Sequence, residues 1–115
     1  MSAADPAGVP FHLLLDADEA RCVRTALNLL LAEDTHEPPI RPLAREALAA
    51  LDDAEPDERG VLSVPLAPPQ MKITHTAVKL RFDDSRREEA AEREALRRVL
   101  DKLPDEHAIR AIRLD

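Results

Sequence analysis

The sequence predicts an α+β fold, mostly helical: an internally duplicated β-α-α unit in the order β-α-α-β-α-α-β, with a small two- or three-stranded sheet. Three observations predict it. Short runs alternate apolar and polar residues as half-buried strands do, longer runs carry apolar residues at helical spacing, and both recur further along the 115-residue chain. Laying Phe11–Leu31 over Leu62–Phe82, an offset of 51, superimposes Phe11 on Leu62, Leu13 on Val64, Leu15 on Leu66, Cys22 on Ile73, Leu27 on Val78 and Leu29 on Leu80. Beyond that the offset is 48, where Arg45–Leu48 matches Arg93–Leu96 and Pro56–Glu58 matches Pro104–Glu106. One domain therefore spans 1–115, with repeat 1 at about 11–58, repeat 2 at about 61–106 and a flexible N-terminus at 1–9.

Each element has a local cause. In Phe11–Leu15 residues 11, 13 and 15 share one face, as a strand requires. Asp16 and Glu19 then form an acidic capping box, which opens a helix over about Ala17–Glu33. Two prolines impose a turn at Thr35–Pro39, and a second helix follows from Ile40 or Arg41 to Leu51, with Pro42 tolerated only in its first turn. Asp52–Gly60 reads as an exposed acidic linker.

The second strand is the Leu62–Leu66 counterpart of the first. Pro68 at the first helical position and Gln70 at the third open a helix over about Pro68–Phe82. Ser85 to Glu88 has the form of a capping box for a fourth helix, which runs to Leu103 and is stopped by Pro104. Leu96, Val99, Leu100 and Leu103 form its buried stripe, and Glu89/Arg93 and Glu94/Arg98 make i,i+4 pairs on the other face. Ile109–Leu114 fits a helix by the Ile109/Ile112 spacing and a strand by its match to Val61–Leu66; the match favours a strand.

Composition narrows the function classes. The net charge is −7, which opposes binding to nucleic acid or anionic membranes. The charge is uneven: residues 1–60 hold 5 basic and 13 acidic residues, residues 61–115 hold 11 and 10. Two phenylalanines are the only aromatics, so stacking platforms for bases or sugars are missing. Two glycines cannot build a phosphate-cradling loop, which excludes nucleotide enzymes of the usual folds. The single cysteine, Cys22, permits no internal disulfide, and neither a signal peptide nor a membrane span is readable; a cytoplasmic protein is expected. Thirteen arginines against three lysines, with abundant Ala, Asp and Pro, fit a high-GC bacterial genome.

The chemistry-bearing residues form no known constellation. His12, His36, His75 and His107 lack metal-ligand spacing, and no cofactor is expected. Cys22 aligns with Ile73 and reads as a core group. Lys72, His75 and Lys79 share one helix face and are candidate anion contacts. Leu29, Leu30 and Leu31 cannot all be buried by one helix face. Leu30 aligns with Arg81, which points it outward, so Leu30 and Leu31 are the candidate interface. Unpaired strand edges invite a second chain. The expected function is a non-enzymatic protein-interaction or regulatory module, acting on a protein partner or as a homodimer. The alternative is an accessory nucleic-acid binder using Arg86, Arg87, Arg97, Arg98, Arg110 and Arg113 of the basic second half.

Overall fold

The computed structural model describes residues 11–32, 40–86 and 89–112. The order is β1 (Phe11–Leu15), α1 (Ala17–Ala32), α2 (Ile40–Asp53), β2 (Leu62–Leu66), α3 (Pro68–Asp84), α4 (Ala90–Lys102) and α5 (Glu106–Ala111). The molecule is mostly helical, with one two-stranded antiparallel sheet. The expectations for the N-terminus at 1–9, the Thr35–Pro39 turn, Arg87, Glu88 and Arg113 lie outside the described residues.

The sheet follows from alternation. Leu13, Leu15, Val64 and Leu66 are buried, while His12, Leu14, Ser63 and Pro65 are exposed on the opposite face. The register pairs Phe11 with Leu66, Leu13 with Val64 and Leu15 with Leu62. Both strands have five residues, and Ala17 and Pro68, which open α1 and α3, also lie 51 positions apart. Helix α1 packs on α2, α3 and α4; helix α3 packs on α1, α2, α4 and α5. Helix α2 flanks β2, and α4 flanks β1. Leu27, Leu51, Ile73, Val78, Leu96 and Val99 join the buried strand residues in one continuous core.

The expected helix starts at Asp16 and Ala67 are realised. The Asp16 N–H donates to Glu19 Oε1 and the Glu19 N–H to Asp16 Oδ1, both at 2.8 Å. The Ala67 N–H donates to Gln70 Oε1 at 3.0 Å, with Pro68 filling the first helical position. The linker after α2 is more structured than its acidity suggests. Asp57 Oδ1 accepts from the Arg59 and Val61 N–H groups at 2.8 and 3.0 Å, and Gly60 turns the chain at φ 80°.

Two expectations are corrected. First, Ile109 does not enter a third strand. It is buried in α5 against α3, because Asp105 caps that turn, accepting the Ala108 N–H at 2.9 Å. Second, Ser85 closes α3 instead of opening α4: it is buried, and its hydroxyl donates to the Phe82 carbonyl at 2.7 Å. Glu89 does the N-terminal work one residue beyond the expected box, accepting the Arg86 N–H at 3.0 Å. Both strands of the sheet are edge strands; along them Pro65 has no N–H to offer, and the Leu14 carbonyl accepts Lys102 Nζ at 3.0 Å.

Candidate functional site

Helix α1 buries Glu19, Ala20, Cys22, Val23, Ala26, Leu27 and Leu30. That stripe follows the helical period, and Leu29 falls outside it. The expectation of an outward Leu30 is thus overturned: Leu30 is 3% exposed, Leu31 is half-buried against the core, and Leu29 is 46% exposed. The alignment with Arg81 misled because Arg81 is itself largely covered. Its guanidinium folds onto Glu89 at 3.2 Å and Glu92 at 2.7 Å. The second contact is ionic rather than a directed hydrogen bond, since Arg81 Nε and Glu92 Oε1 are buried with no hydrogen-bond partner among the described residues.

Leu80, the counterpart of Leu29, is 49% exposed. Both leucines line a groove of about 540 Å³ between α1 and α3, together with Leu30, Ala26, Ala77 and Arg81, so Leu30 borders it although it is buried. Ala26 and Ala77 are buried, each three positions before an exposed leucine on its helix. The 3.6-residue period of α1 contains the signal that separates Leu29 from Leu30.

The candidate anion contacts are occupied from within. Lys72 Nζ donates to the Ile112 carbonyl at 2.6 Å, stabilising the C-terminal end of α5. Lys79 pairs with Asp83 at 3.1 Å and lies 5.8 Å from the Phe82 ring centroid. His75 sits half-buried on the same helix. Other cations of the second half are also drawn inward. Arg93 donates to the Phe82 and Ser85 carbonyls at 3.0 Å and stacks on Phe82 at 4.4 Å.

Glu19 is the feature that sequence reasoning underrated. Its carboxylate is 1% exposed, yet it accepts Arg98 Nε at 3.1 Å and Lys102 Nζ at 2.6 Å besides the Asp16 N–H. Burial pushes its pKa up, but the Lys102, Asp16 and Arg98 hydrogen bonds outweigh that, and the net value lies below the ordinary one. Thus Arg98 reaches across to α1 instead of serving only its own helix. Gln70, at the matching position of α3, reaches across in the same way to Glu46 of α2 at 2.9 Å.

Cys22 is buried, and burial raises its thiol pKa, which disfavours the nucleophilic thiolate. Ser63 Oγ lies 3.4 Å from His12 Nδ1 on the open face of the sheet, a long contact between exposed groups. No cluster of three or more His, Cys, Asp or Glu able to hold a metal ion occurs among the described residues. Nor is any described helix long and apolar enough to cross a membrane. Comparison with known protein families, curated proteins and solved structures finds no match for this chain.

Proposed function

We propose that this chain is a non-enzymatic protein-interaction module that docks through the groove between α1 and α3. The observation that carries this reading is the pair Leu29 and Leu80, each nearly half exposed and lining one groove with the buried Ala26 and Ala77. Isolated surface leucines are ordinary; two that line one groove at matching positions are less so. The internally duplicated unit belongs to the same reading. Its support is the 51-residue offset shared by the strands, the helix starts and the exposed leucines. A cytoplasmic setting accords with the single buried thiol.

The nucleic-acid alternative is less well supported. Of the arginines on which it rests, Arg98 is drawn onto Glu19 and Asp16, while Arg87 and Arg113 lie outside the described residues; the net charge of −7 opposes the reading as well. The test of the docking reading is capture from a bacterial lysate with the full chain and with a Leu29→Glu/Leu80→Glu variant as baits. A partner retained by the first and lost by the second is expected. Identical recovery on both baits would refute the reading.

A further inference from the structure

We infer that a second groove, between α2 and β2, receives lysine or arginine side chains from a basic segment of a partner protein. It has a volume of about 610 Å³, and its lining includes Glu46, Ala50, Asp53, Ala54, Pro65 and Gln70. The inference uses the internal repeat and is independent of the α1/α3 groove. The region around Glu19 points to the occupant. The offset of 51 sets Leu14 against Pro65 and Glu19 against Gln70, and the offset of 48 sets Ala50 against Arg98 and Ala54 against Lys102. Around Glu19 these places are filled: Arg98 Nε reaches the Glu19 carboxylate at 3.1 Å, and Lys102 Nζ reaches it at 2.6 Å and the Leu14 carbonyl at 3.0 Å. Two cationic side chains of α4 thus cover the start of α1 and the edge of β1. On α2 the aligned residues are alanines, and the corresponding space beside Gln70 and Pro65 is an open groove.

Charge selects the same occupant. Gln70 donates to Glu46 Oε1 at 2.9 Å and, being neutral, leaves the charge of that carboxylate uncompensated. Asp53 lies two turns, about 10 Å, further along α2. Neither carboxylate is in an ion pair with a described residue. A lysine or arginine stem packs on Ala50, Ala54 and Pro65 while its cationic head meets a carboxylate. A second copy of the chain fits poorly. Its net charge is −7, and its lysines 72, 79 and 102 each engage an acceptor of their own chain.

Fluorescein-labelled hexalysine, titrated with the full chain and read by fluorescence anisotropy, tests the inference. Saturable binding of one peptide per chain is expected, weakened by salt and absent for hexalysine acetylated on every side chain. Glu46→Gln/Asp53→Asn should raise the dissociation constant about tenfold or more. Glu94→Gln/Asp101→Asn makes the same charge change at the aligned positions of α4 and should leave the constant within about twofold. Ala50→Arg/Ala54→Lys supplies the cations from the chain itself and should abolish binding. Circular dichroism verifies the fold of every variant, and the two carboxylate pairs decide the matter if the alanine variant does not fold. Equal losses for those two pairs, undiminished binding by a folded Ala50→Arg/Ala54→Lys, or no saturable binding at low salt overturns the inference. So does a dimer of the free chain that Glu46→Gln/Asp53→Asn dissociates, which would assign the groove to a second copy.

Discussion

Glu19 and Lys102 meet at 2.6 Å, joining the first turn of α1 to the last turn of α4 across 83 residues of sequence. The same ammonium donates to the Leu14 carbonyl at 3.0 Å, so one side chain ties the β1–α1 junction to the second half of the chain. Such a contact holds two packed elements in one arrangement, and its strength depends on the carboxylate being ionised while buried.

Removing that carboxylate should therefore destabilise the fold in a graded way. Glu19→Ala loses the helix cap and the charge-assisted bonds together and is expected to cost about 2–3 kcal/mol. Glu19→Gln keeps an oxygen for the Asp16 N–H and carries no buried charge, so it should cost less. Thermal melts decide the order: at about 4–8 °C per kcal/mol for a domain near this size, the two are separable. Equal melting temperatures for Glu19→Gln and Glu19→Ala would show that the cap adds nothing.

The same group sets the acid limb of stability. Its pKa is lower folded than unfolded, so the unfolded chain takes up the proton first. The contribution is complete above the ordinary glutamate value of 4.5 and is lost as pH falls through the lower folded value. Urea titrations over acidic pH should show a steeper decline for the wild-type chain than for Glu19→Gln, while both behave alike near neutrality.

Neighbouring leucines on α1 should respond very differently. Leu30→Ala empties a buried site and is expected to cost about 2–5 kcal/mol. Leu29→Ala should change stability by less than about 0.5 kcal/mol. Chemical denaturation of the two variants distinguishes the buried stripe from the exposed one.

Cys22 should be protected in the folded protein. It is 7% exposed and its thiol pKa is raised by burial, so reaction with a disulfide reagent at neutral pH should be slow until the chain unfolds. Prompt native-state labelling would mean that α1 opens locally.

Gly60 is the one described residue whose backbone demands glycine. A Cβ there meets nothing within 4 Å, so Gly60→Ala probes conformational strain alone. At φ 80° the expected cost is about 1 kcal/mol, read from the shift in denaturation midpoint.

The sequence by itself determined both strands, the starts of α1 and α3 and most of the core. Those features depend on neighbours a few residues apart: the period-two alternation of Phe11–Leu15, the reciprocal bonding of Asp16 with Glu19, the proline at position 68. It also contained the period that buries Leu30, although the alignment with Arg81 pointed the other way. Only the tertiary structure decided where long side chains end. Arg81 lies under two glutamates, Arg98 and Lys102 cross to a buried Glu19, and Lys72 reaches the end of α5. Flexible cations settle on whichever carboxylate or carbonyl the fold brings within reach, and that proximity has no period along the chain. The fate of Ile109 was likewise tertiary as much as local: capped by Asp105, it became helical where α3 offered an apolar face to cover it.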